Sequence, residues 1–136
     1  EGLNLKPETW GKNWTREDTY RQAALTTLLI VDWGQTRYIA KHTENEIPCT
    51  PTNPPVCETR PKPVLKYEET GLARLVIGAH PSIGRVNNYF AASIIVYTAI
   101  SYILPSDWRK GWQYVWIGIE AGYVQRNYSI GIKIDL

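Results

Sequence analysis

Asp32, Gln35 and Thr36 lie within LLIVDWGQTRYIA (residues 28–40), three and four positions apart, so on a helix they share one face just after an apolar run. Gln113, Glu120 and Asn127 recur every seven residues, again one face of a helix. A third segment contributes Asn87 and, further along, Thr98 and Ser101. Two acids in apolar company suit proton chemistry, because burial raises a carboxyl pKa and makes the group a general acid. The same residues suit an interhelical hydrogen-bond network that fixes register, since buried polar groups must find partners. The second reading is preferred, because no Gly-x-Ser-x-Gly elbow, phosphate loop or nucleotide fingerprint supplies the rest of an active site. The expected site is therefore a polar seam of Asp32, Gln35, Thr36, Asn87, Gln113, Glu120 and Asn127, with Arg37 or Arg85 paired to an acid and no catalytic residue.

Cys49 and Cys57 have seven residues between them, three of them proline. So short and stiff a loop brings the thiols together, and a disulfide implies an oxidising compartment. The spacing is not Cys-x-x-Cys, and His42 and His80 are the only histidines, so neither a redox motif nor a zinc set is expected. His80, in GAHPS, reads as a turn residue rather than a base. No metal and no cofactor are expected.

The elements that must position these groups follow from caps and breakers. Residues 1–14 form a polar arm. Thr15 followed by Asp18 reads as a capping box opening helix 1, which spans 15–41. Residues 43–71 hold most of the prolines and should form an extended loop carrying the disulfide. The run LARLVIGAHPS is either a brief strand or a helical turn. Ser82 is placed to cap a second helix that Pro105 ends, and a third runs from about Trp108 to Asn127, giving a tight helical hairpin over 82–127. Residues 128–136 alternate apolar and polar like a short terminal strand. The whole chain, 1–136, reads as one domain.

Val86 to Leu104 is 19 residues, close to the roughly 20 that span a hydrocarbon core. The chain has six Trp and nine Tyr against one Phe, rings with a polar tip that suit interfaces and bilayer edges. On a hairpin folded about Ser106, Tyr89 and Tyr123 meet at one level while Trp108, Trp112 and Trp116 gather near the other. Gly118 and Gly122 provide a GxxxG spacing for close helix approach. A chain that starts at Glu1 and holds no Met is expected to have lost a leader, with a cleaved secretory signal as the natural reading. A net charge of +2 carries no nucleic-acid footprint.

DWGQTRYIA, IGAHPSIGRVNNYFA and LPSDWRKGWQYVWIGIEAGYVQRNYSIGIKI together resemble small uncharacterised bacterial and phage proteins expected to be helical membrane proteins. The motifs are DWGQT, HPSxGRVNxYF and WQYxxIGxEA, covering residues 23–42 and 75–134. The resemblance implies architecture and no activity. The expected protein is mainly α, a three-helix antiparallel bundle, membrane-embedded or membrane-associated, with a Pro-rich disulfide loop and a short extended tail. The expected function is a non-enzymatic accessory subunit of an exported, periplasmic or cell-envelope assembly, docking a larger protein partner, with lipid nearby. The alternatives are a membrane-active or proton-handling protein of the phage lysis or exclusion type, in which Asp32 and Glu120 carry the function, and an exported enzyme of unrecognised type.

Overall fold

The computed structural model describes residues 3–46, 49–57, 62–65, 76 and 82–135, and three helices account for most of them. α1 (Arg16–Lys41) opens at Thr15, whose hydroxyl accepts the Asp18 backbone N–H at 3.2 Å while the Asp18 carboxylate accepts the Thr15 N–H at 2.9 Å. This is the reciprocal cap read from the sequence, satisfying two orphan donors at once. α2 (Ile83–Ile103) starts where the Ser82 hydroxyl accepts the Arg85 N–H. It stops because Leu104, preceding Pro105, is driven out of helical geometry to φ −69°, ψ 142°. α3 (Ser106–Ser129) follows at once, two residues longer at each end than expected.

Cross-helix pairs set the topology. Asp18 meets Arg109 and Gln35 meets Asn127, so residue numbers rise together and α1 runs parallel to α3. Gln22 meets Ser101 and Trp33 meets Asn87, so α1 runs antiparallel to α2. The bundle is up-down-up. α1 packs against both other helices, whereas α2 and α3 touch each other least. The expected tight hairpin over 82–127 is thus a pair of consecutive helices held together mainly through α1.

The described residues of the Pro-rich stretch form short strands. β1 (Thr43–Glu46) pairs antiparallel with β4 (Lys62–Leu65), and β2 (Cys49–Thr50) with β3 (Val56–Cys57). In a two-stranded ladder every strand is an edge, so Pro63 is tolerated within β4. The disulfide joins Cys49 to Cys57, directly opposite each other. Among the described residues the terminal strand is not formed, because residues 130–135 have no sheet neighbour there. They lie along α1, with Ile132 buried and the Asp135 N–H donating to the Gly34 carbonyl at 2.9 Å. At the other end the arm is pinned where the Gly11 N–H donates to the Tyr102 carbonyl at 2.7 Å. Gly11 has φ +67°, and a Cβ there would run into the Tyr102 ring. The LARLVIGAHPS segment, with His80, lies outside the described residues apart from Val76 and Ser82.

Among the described residues the distribution of side chains is inverted. Six apolar residues are buried, including Leu25, Leu29, Val86 and Phe90, with Trp33 stacked 6.3 Å from Phe90. Ten polar or charged residues are buried, while Ile95, Val115 and Trp108 are more than half exposed. Such an interior holds together by hydrogen bonds.

No helix among the described residues is long and apolar enough to cross a membrane. The expectation of a spanning second helix is corrected on this point. Asn87, Asn88, Ser93, Thr98 and Ser101, with Tyr89, Tyr97 and Tyr102, bring the stretch below what a hydrocarbon core demands.

Candidate functional site: a buried carboxyl pair in a polar seam

Three layers of polar side chains connect α1 to α3. In the first, Arg109 is fully buried. Its guanidinium donates to the Ser101 carbonyl at 2.7 Å, the Leu104 carbonyl at 3.0 Å, the Asp18 carboxylate at 3.1 Å and the Lys12 carbonyl at 3.3 Å. Trp14 covers it, 4.7 Å from ring centroid to guanidinium carbon. Asp18 also pairs with Arg21. Burial disfavours the Asp18 carboxylate, but the Thr15 N–H and Arg109 outweigh it and hold its pKa below the usual range. Just above, the Gln113 amide donates to Gln22 Oε1 at 3.2 Å and to the Asp18 carbonyl at 3.1 Å, while its oxygen accepts Arg21 Nε at 2.8 Å. Gln22 in turn accepts the Ser101 hydroxyl at 2.6 Å and donates to Thr98 at 3.1 Å.

The second layer is the carboxyl pair. Asp32 on α1 and Glu120 on α3 are 6% and 5% exposed, and their carboxyls hydrogen-bond to each other. Two carboxyl oxygens bond only if one carries a proton. Burial first, and Glu120 second, push the Asp32 pKa far above the carboxylate range, to about 9, against a small opposing contribution from the Thr36 hydroxyl at 3.5 Å. Both causes favour a proton shared by the pair. Tyr97 on α2 faces it, and burial, Tyr89, Glu120, Tyr123 and Asp32 together raise the phenol pKa. The third layer joins Gln35 to Asn127 at 3.1 Å, with the Gln35 amide also donating to the Val124 carbonyl at 3.1 Å.

Six of the seven seam residues thus come together along α1 and α3. Asn87 does not join them. It sits at the α1–α2 edge, where its Oδ1 accepts Arg37 Nη1 at 2.8 Å and Trp33 Nε1 at 2.9 Å. Arg37 finds its acid in the tail, Asp135, at 3.5 Å. Sequence reasoning missed Arg109 and Gln22, although Arg109 lies four residues before Gln113 and so falls on the same stripe of α3.

Other expected sites are placed differently. Gly118 and Gly122 are exposed, with open space where a Cβ would stand, so they pack no helix among the described residues. Trp112 and Trp116 are half-buried around Tyr97, with Trp116 stacked at 4.7 Å and Trp112 edge-on at 5.7 Å. Trp108 is exposed. Tyr89 and Tyr123 are half-buried and near enough to Tyr97 to raise its pKa. Trp108, Trp112, Trp116, Ile100, Leu104 and Val115 line an open apolar groove of about 710 Å³. Among the described residues no group of three or more potential ligands could hold a metal ion.

Fold and site together define a three-helix bundle with a polar interior organised around a proton-sharing carboxyl pair. Set against protein-family models, curated proteins and solved structures, the chain matches none of them.

Proposed function

We propose that the chain is a non-enzymatic structural subunit of an exported, envelope-associated assembly, and that its α2–α3 flank docks apolar surface of a larger protein partner. The observation that carries this reading is the inversion of polarity. The interior is rich in hydrogen bonds while Ile95, Trp108 and Val115 stand outside, the last two lining the groove with Trp112 and Trp116. Exposed aromatic and branched residues around a concave apolar patch are what a partner's hot-spot side chains fill. The disulfide fits an oxidising compartment.

The test is the size of the native particle after gentle lysis. The wild-type chain migrates in a larger complex, and Trp108→Asp with Val115→Asp, both exposed, releases a folded monomer. A wild-type monomer overturns the reading. So does retention in the membrane pellet after alkaline carbonate, which identifies lipid rather than protein as the cover.

A second reading, proton handling, is favoured by the Asp32–Glu120 pair. It requires that Asp32→Asn assemble normally and lose function, whereas a register role leaves both intact.

A further inference from the structure

A groove of about 620 Å³ runs along the bundle between α1 and α2, lined by Ile30, Trp33 and Arg37 from one helix and Asn87, Asn88 and Ala91 from the other. Its lining is graded. Because the helices are antiparallel, Arg37, Asn87 and Asn88 gather at one end, while Ile30 and Ala91 lie at the other, seven residues or about 10 Å along α1. The polar end also carries several basic side chains. Arg37, Lys41, Arg85, Arg126 and Lys133 belong to it, against Asp135 among the described side chains. The guanidinium is already oriented by Asn87 through Nη1, with Asp135 on its Nε side. Asp135 is held ionised chiefly by Lys41, whose ammonium lies 2.6 Å away. A cation and two amides at one end of an open groove, an Ile and an Ala at the other and Trp33 between them match one ligand chemistry: an anionic head on an apolar chain.

We propose that this groove binds a single anionic membrane lipid, its headgroup on Arg37, Asn87 and Asn88 and its acyl chain along Trp33, Ile30 and Ala91. The inference rests on the envelope-associated reading and gives the molecule an orientation there, the Arg37 end of the groove toward the headgroups. Asp135 places a negative charge beside the headgroup position and weakens binding.

The test is co-sedimentation of the full chain with phosphatidylcholine vesicles and with vesicles containing phosphatidylglycerol. Binding to the anionic vesicles exceeds binding to the neutral ones and falls with added salt. Arg37→Gln reduces it by about fivefold, the usual effect of one juxtamembrane charge. Asp135→Asn raises it by a similar factor. Asn88→Asp, an exposed substitution at the polar end, reproduces the loss without touching the fold, and Ala91→Glu reproduces it from the apolar end. Equal binding to both vesicle types overturns the proposal. So does an Arg85→Gln loss as large as that of Arg37→Gln, because diffuse basic charge then suffices, and so does full displacement by inorganic phosphate, which shows that no acyl chain is held. If no vesicle binds, the groove proposal falls while the partner-docking reading stands on its own particle-size test.

Discussion

Replacing Asp32 with Asn tests the carboxyl pair directly. In an unfolded chain this carboxyl ionises near its ordinary value of 3.8, whereas in the bundle its pKa is about 9. Between those values the folded state binds a proton that the unfolded state does not. The contribution to stability is therefore fully present below the unfolded pKa and is lost as pH rises toward the folded one. One such proton costs about 1.4 kcal/mol per pH unit, so raising the pH from about 5 to about 8 removes roughly 4 kcal/mol. The pair is almost fully buried, so solvent screening does little to reduce this figure. Asp32→Asn keeps the shape and supplies an amide donor to Glu120 without needing a proton. The variant should gain on the native chain as pH rises, its advantage growing by that same roughly 4 kcal/mol between about pH 5 and about pH 8. At about 3 °C per kcal/mol the separation is on the order of 12 °C in Tm. Circular dichroism melts across this range, with urea titrations at the two ends, measure it. Parallel pH curves for native and variant chains would refute the shared proton.

Three further outcomes follow from the geometry. Arg109→Met should destabilise the bundle by about 3 kcal/mol or more, because it strands the Asp18 carboxylate and the buried carbonyls of Ser101 and Leu104, and Arg109→Lys should not restore it, since one ammonium cannot reach all of them; urea midpoints decide. Gln35→Leu and Asn127→Leu should each cost about 1–3 kcal/mol, while the double variant costs much less than their sum; additive losses in a double-mutant cycle would show that the pair is not coupled. Gly118→Ala and Gly122→Ala should each stabilise the isolated chain by about 1 kcal/mol, because both positions are exposed mid-helix with room for a methyl; destabilisation would show instead that a second helix closes on them.

Local chemistry is what the sequence determined alone. The Thr15–Asp18 and Ser82 caps, the stop before Pro105 and the Cys49–Cys57 disulfide depend on neighbours in the chain, so residue types at fixed spacing suffice to read them. The stripe Gln113, Glu120, Asn127 was legible for the same reason, since helical periodicity puts those residues on one face whatever that face meets. What they meet is a tertiary fact. Only the parallel run of α1 beside α3 brings Asp32 against Glu120 and leaves Asn87 to Trp33 and Arg37 on the other side. Arg109 shows the limit most clearly. In sequence it is one basic residue of a polar turn, and only the convergence of the arm, α1 and the end of α2 buries it among four acceptors. The Asp32 proton likewise follows from burial and from a second carboxyl 88 positions away in the chain, and no local window contains either cause.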